Sequence, residues 1–143
     1  FLGVFSADED ESVEGPEGLA DKTIGVTRGA VEDMELSNIA PDSTTVQRFE
    51  DNATTISAFL SGQVDYVATG NVVAAEIAER NSDRAPSMIY QLKDSPCYVG
   101  MNKNEPALME EVNRLIAQGL EDGTLNELSQ RWFSADLPEN FGS

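Results

Sequence analysis

Lys22-Thr23-Ile24-Gly25-Val26-Thr27-Arg28-Gly29-Ala30-Val31-Glu32-Asp33 begins as one kind of structure and ends as another. Lys22–Thr27 alternates with the period of a strand, and Gly29–Ile39 has the pattern of a helix. The same order returns twice downstream. Thr44–Phe49 (TTVQRF) reads as a strand, and Asp51/Asn52 can cap a helix to Ser61 that places Ile56, Phe59 and Leu60 on one face before Gly62 ends it. Val64–Thr69 (VDYVAT) is a third strand, and Val72–Arg80 a helix with Val72, Ala75, Ala78 and Glu79 spaced by three and four. Strands separated by helices of about ten residues predict right-handed βαβ units, and so an α/β fold with a mostly parallel sheet flanked by helices.

Toward the N-terminus, Phe1–Ser6 reads as a short strand, Ala7–Gly15 as an acidic linker and Pro16–Asp21 as one helical turn. Toward the C-terminus the rhythm breaks. Ser87–Leu92 and Cys97–Asn102 are two predicted strands joined only by Lys93-Asp94-Ser95-Pro96, too short for a parallel crossover. Two helices follow, Pro106–Leu120 with Leu108, Val112, Leu115, Ile116 and Leu120 on one stripe, and Thr124–Phe133 with Leu125, Leu128 and Trp132. Asp122-Gly123 between them predicts a tight helical pair. The stripes read as core contacts and Trp132 as a packing anchor.

Composition narrows the function. The 143 residues are 40% hydrophobic and 7% aromatic, enough for a globular core. Nine Lys and Arg against 26 Asp and Glu leave a net charge of −17, which repels phosphate backbones and anionic membrane surfaces, so no nucleic-acid partner is expected. Histidine is absent, which removes the usual general base and zinc ligand. Cys97 is alone and forms no disulfide within the chain. Phosphate-loop, dinucleotide and calcium-loop motifs are missing, and Asp8-Glu9-Asp10-Glu11 reads as a flexible acidic loop. No catalytic residue, metal or cofactor is expected. No apolar run approaches the roughly 20 residues of a membrane span. No signal peptide is present in the sequence, and the opening Phe1-Leu2-Gly3-Val4-Phe5 reads as cut from a longer protein.

Two places have the chemistry of a binding site. After the first βαβ strand, the small residues of Thr27-Arg28-Gly29-Ala30-Val31 turn the chain sharply into a helix whose first N–H groups lack helical partners. Those N–H groups and the dipole suit a carboxylate or phosphate, and Arg28 adds positive charge; equally, Gly29 is a plain turn residue and Arg28 a surface charge. The second place is Thr69-Gly70-Asn71, at the carboxyl end of the third strand, where open α/β sheets bind ligands. There the Asn71 amide either meets a polar ligand or caps the following helix.

In order along the chain, several segments resemble one family. Leu19-Ala20-Asp21-Lys22-Thr23-Ile24-Gly25-Val26-Thr27-Arg28-Gly29 is similar to the entry into the second lobe of type II periplasmic solute-binding proteins of ABC transporters, polar amino-acid class (bacterial extracellular solute-binding protein family 3). Arg48-Phe49-Glu50-Asp51-Asn52, Ser57–Leu60 with Ser61-Gly62-Gln63-Val64-Asp65, Tyr98-Val99-Gly100-Met101-Asn102-Lys103, and Asp122-Gly123-Thr124-Leu125 through Gln130-Arg131-Trp132-Phe133 follow as in that family.

The resemblance implies a periplasmic binding protein-like II fold lacking most of the first lobe. It places 1–6 and 97–102 as two inter-lobe strands and 7–96 as the second lobe; 103–143 become helices that belong to the first lobe in the intact protein. It implies a periplasmic protein, not an enzyme, that captures an amino acid or small carboxylate and hands it to a membrane permease. Without the other lobe, this chain alone is expected to bind weakly and its bare helical stripes to self-associate. Two positions depart from the family: Ala30 stands where a Thr or Ser commonly helps hold the ligand carboxylate, and Gly70 where an Asp binds the amino group. Anion capture is therefore expected to survive better than amine capture. A receptor ectodomain and a dehydratase-like enzyme are the alternatives on this fold; a free-standing flavodoxin-like regulator is disfavoured by the missing crossover helix before Cys97.

Overall fold

The computed structural model describes residues 1–94, 98–133 and 136–137. They fall into two units, Phe1–Pro96 and Cys97–Ser143. The first is built on five strands, β1 (Leu2–Ser6), β2 (Thr23–Thr27), β3 (Thr45–Phe49), β4 (Tyr66–Gly70) and β5 (Ser87–Lys93), in the order β3-β2-β4-β1-β5. Three helices follow strands: α1 (Val31–Ile39), α2 (Asn52–Leu60) and α3 (Asn71–Arg80). The predicted turn before β2 is a single 3-10 turn, Pro16–Leu19.

β2 pairs in parallel with both β3 and β4, whereas β1 is antiparallel to both β4 and β5. Four strands thus point one way and β1 the other, consistent with the mostly parallel sheet expected from the βαβ rhythm. The strand alternation divides the core into two layers. Ile24, Val26, Tyr66, Ala68, Val4 and Ile89 pack with Leu19 and with Leu36 of α1. On the other side Phe5 and Val67 pack with Ala58 and Phe59 of α2, Val64 and Ala74 of α3. Helices on both faces explain why β4 reads as a nearly continuous apolar run rather than a clean alternation.

The structure shifts some predicted bounds for local reasons. The helix predicted from Gly29 starts at Val31 because Gly29 sits at φ +71, in the left-handed region, where the chain changes direction. The strand predicted from Val64 starts at Tyr66. Asp65 is anchored first, donating its own N–H to the Thr23 carbonyl at 2.9 Å and accepting the Thr23 N–H on its carboxylate at 2.7 Å. Gly25 is tightly packed: a Cβ there would lie 3.2 Å from the Val64 side chain and 3.3 Å from that of Phe49, so these would have to give by a few tenths of an ångström.

The second unit contains α4 (Pro106–Glu121) and α5 (Thr124–Phe133). Gly123, at φ +82, makes the turn between them, and a Cβ on Gly119 would lie 3.0 Å from Leu125, so the pair is close as predicted. Two expectations fail here. Residues 98–102 form no strand (Cys97 lies outside the described residues), and Tyr98 and Val99 are exposed. No described strand offers them a ladder, and without one an alternating sequence has no reason to stay extended. Trp132 is 63% exposed rather than a buried anchor, and Leu108, Leu115 and Leu128 are exposed with it. The stripes have the predicted spacing, but these side chains of them are exposed. Among the described residues, no helix is long and apolar enough to cross a membrane.

Candidate functional site

The β2–β4 register, Ile24↔Tyr66 and Gly25↔Val67, makes these parallel strands finish side by side. The turn after β2 (Thr27–Val31) and the turn after β4 (Gly70–Asn71) therefore share one edge of the sheet, 39 or more positions apart in sequence. β1 brings its first residues to the same edge, with Leu2 opposite both Gly70 and Lys93.

The helices that begin at this edge are not equivalent. α2 is closed: its N-cap Asp51 accepts the Thr54 N–H at 2.8 Å, and that backbone bond holds the Asp51 carboxyl below its usual range. α1 and α3 are open. Their N-caps, Ala30 and Gly70, are extended and supply no capping side chain. Two uncapped helix N-termini on adjacent strands present unpaired N–H groups and positive dipole ends at one edge.

The individual candidates take distinct roles. The Thr27 hydroxyl faces α2, donating to Asn52 Oδ1 at 2.6 Å and lying 3.0 Å from the Thr55 hydroxyl. Arg28 is largely exposed and pairs with the still more exposed Glu50 at 3.3 Å, so its charge is already offset and the pair stabilises little. The Gly29 N–H donates to Asp33 Oδ2 at 3.0 Å, and the Ala30 N–H donates to the Thr27 carbonyl at 3.1 Å. These two amides, expected to face an anion, are thus engaged within the turn. The open donors lie one step further on: among the described residues, the amides of Val31, Glu32 and Asp33 meet no acceptor. Asn71 does not cap α3; it is the first helical residue, its N–H donates to the Phe1 carbonyl at 3.1 Å and its Oδ1 accepts from the Phe1 nitrogen at 3.1 Å. Gly70 has an ordinary φ of −77, and a Cβ there would come no nearer than 3.8 Å to Leu2. Val31, Val72 and Phe1 are exposed apolar residues at this edge.

Sequence reading missed the residues that brace the turn. Asp33, 7% exposed, accepts from Arg48 Nε at 2.8 and 3.1 Å and from the Ser37 hydroxyl at 3.3 Å, while Arg48 donates a further bond to Ser37 at 2.8 Å. An acid at the third position of a helix reaching back to an amide before it is a recognisable N-terminal signal; its arginine partner fifteen positions away is not. Lys93, closing the edge on the β5 side, pairs with Glu35 of α1 at 2.5 Å.

A second polar cluster lies at the amino end of β4, away from this edge. Glu11 accepts from the Tyr66 hydroxyl and, at 2.7 Å, from Ser6, with Lys22 3.8 Å from its carboxylate. The Tyr66 bond, then the Ser6 bond, lowers the Glu11 pKa; burial, then Glu11, raises that of Tyr66. This cluster fastens the acidic linker to the sheet.

The chain matches the family described as bacterial extracellular solute-binding proteins, family 3, over residues 42–135. It is 27% identical to the glutamine-binding protein GlnH of an ABC transporter from Bacillus subtilis, covering 85% of this chain and 44% of that protein. It is 24% identical to the L-cystine-binding protein TcyJ of Escherichia coli, covering 88% and 47%. The chain therefore spans about half the length of these curated relatives. Among solved structures, the substrate-binding protein AbpA of an amino-acid ABC transporter from Streptococcus pneumoniae, bound to L-arginine, superimposes with a TM-score of 0.69 at 25% identity, covering 96% of this chain and 59% of that one. The probable amino-acid ABC transporter extracellular-binding protein YtmK of Bacillus subtilis has the same fold, with a TM-score of 0.73 at 20% identity over 94% of this chain and 59% of that one. With more than half of its residues matched and the sheet edge built as described, the chain belongs to the bacterial extracellular solute-binding proteins, family 3.

Proposed function

We propose that this chain is the second lobe, with the C-terminal helical pair, of a protein that captures a small carboxylate or amino acid outside the cytoplasmic membrane and delivers it to an ABC-transporter permease without chemical change. Residues 7–96 form the lobe, 1–6 and 97–102 connect it to the other lobe, and 103–143 belong with that other lobe. The observation that carries this reading is the pair of uncapped N-termini, α1 and α3, on neighbouring parallel strands. Their N–H groups and dipoles favour a carboxylate, and the apolar rim of Val31, Val72 and Phe1 suits a small organic body. Thr27–Val31 and Gly70–Asn71 line the site, with Val31 supplying the first open amide and Arg28 a peripheral charge.

The ligand class follows from what faces that edge. Gly70 supplies no carboxylate to an α-ammonium group, so recognition rests on the carboxylate. Glutamine, arginine and cystine, the ligands in the relatives' names, are to be compared with pyruvate and lactate by isothermal titration on the protein that carries this chain. The keto and hydroxy acids are expected to bind at least as well as the amino acids. Gly70→Asp, at a position with an ordinary backbone conformation where a Cβ comes no nearer than 3.8 Å to Leu2, should shift preference toward amino acids. Tight α-amino-acid binding that Gly70→Asp does not improve would overturn the ligand assignment, and turnover of prephenate or arogenate would replace binding by catalysis.

A further inference from the structure

Asp33 poses a problem for the site just proposed, and its solution identifies a residue outside that site. Its carboxylate is nearly buried in the first turn of α1, bonded to the Gly29 amide. It therefore occupies the helix end that must receive an anion, and it carries the same charge as the ligand. A bare carboxylate there would repel an incoming one. Arg48 of β3 removes the conflict. Its Nε lies 2.8 and 3.1 Å from the two Asp33 oxygens, and its terminal nitrogen holds Ser37, which in turn donates to Asp33. The β3 strand that carries Arg48 is itself tied to the turn, since the Arg28 N–H donates to the Phe49 carbonyl at 2.8 Å. Arg48 also lines an open hollow of about 310 Å³ with Ser37, Ala40, Asp42, Thr44 and Val46, and its side chain stays 39% exposed.

We infer that Arg48 is a positioning residue for carboxylate capture: it neutralises Asp33, so that Asp33 can hold the Gly29 turn in its left-handed conformation without repelling the ligand from the open amides of Val31 and Glu32. The inference rests on the carboxylate site proposed above and concerns how that site tolerates an acid within it. A charge-balancing role differs from a merely structural one in its mutational pattern. Arg48→Met leaves Asp33 unneutralised and weakens anion binding. Asp33→Asn keeps an oxygen acceptor for the Gly29 amide, removes the negative charge, and leaves binding intact or stronger. The double variant has neither charge and returns toward the starting affinity.

The test is a titration of this chain with sodium acetate against sodium chloride at equal ionic strength, following the backbone amide resonances of Gly29, Val31 and Glu32. In the unmodified chain acetate, but not chloride, is expected to shift the Val31 and Glu32 resonances. Arg48→Met should reduce the initial slope at least about fivefold, as expected for like charges brought close at a protein surface. Asp33→Asn should match or exceed the unmodified chain, and the double variant should recover to within about twofold of it, the coupling expected of a contacting pair. Equal losses in all three variants, or an unchanged response in Arg48→Met, would overturn the role of Arg48. No acetate response in the unmodified chain would instead overturn the carboxylate site, and the Gly29 resonance, displaced in Arg48→Met without any ligand, would still report whether the brace exists.

Discussion

Gly29 and Gly62 form a matched pair for testing how the site turn is built. Both are left-handed, at φ +71 and +74, and a Cβ would meet nothing within 4 Å at Gly29 and only the tip of Arg84, at 4.0 Å, at Gly62. Gly→Ala at either place creates no collision, so its cost is conformational. A left-handed alanine costs about 1–2 kcal/mol, and the stiffer unfolded chain returns about 0.4–1 kcal/mol. The net loss is therefore about 1 kcal/mol at each site, which for a unit of this size lowers Tm by about 4–8 °C. Urea and thermal melts of both variants should give nearly equal losses. Binding should separate them. Gly62→Ala lies at the end of α2, away from the open amides, and should leave carboxylate affinity unchanged, whereas Gly29→Ala should weaken it. Gly29→Asn should recover most of both losses, because asparagine tolerates the left-handed region. Equal melts with equal binding losses, or a Gly29→Ala that is neutral in both assays, would refute the claim that this backbone conformation organises the site.

Phe59 is fully buried between the sheet and α2, with the Arg84 guanidinium 5.6 Å from its ring centre; Phe59→Ala should cost about 3–5 kcal/mol in a urea titration. Glu11 has a folded pKa below its unfolded value of 4.5, so its stabilisation is present above about pH 4.5 and disappears as pH falls through the folded value. Tyr66 has the opposite sign: raised above 10, it loses stabilisation as pH climbs past 10. Tyr66→Phe should cost about 1.5–3 kcal/mol at neutral pH, as for a hydrogen bond to a charged group, and should flatten the acid limb of Tm against pH. The exposed apolar residues of α4 and α5, Leu108, Leu115, Leu128 and Trp132 among them, should make this chain self-associate on its own. Light scattering over a concentration series is expected to show mass rising with concentration, and charged substitutions at Leu115 and Trp132 should suppress it.

How much of this was legible in the sequence depended on whether the determining interactions were local. The strand–turn–helix order, the Asp51 cap of α2 and the turns at Gly62 and Gly123 are set within a few residues by alternation, capping chemistry and backbone freedom, and they were read directly. The α5 bounds, Thr124–Phe133, coincide with the predicted ones for the same reason. The place of β1 was not legible. Nothing in Leu2–Ser6 shows that it lies antiparallel between β4 and β5, since ladder partners 62 to 91 positions away determine that. Residues 98–102 show the reverse: their alternation is strand-like, but a strand exists only where another backbone accepts its hydrogen bonds.

The sequence by itself determined that a small-residue turn joins a strand to a helix at Thr27–Val31, because glycine chemistry and helix geometry act over a handful of residues. Only the tertiary structure decided what that turn presents. Parallel pairing of β2 with β4 placed it beside Gly70-Asn71, and Asp33, neutralised from another strand by Arg48, took up the Gly29 amide and moved the open donors to Val31, Glu32 and Asp33. Charge balance across a sheet depends on distances in space, which the spacing of residues along the chain does not contain.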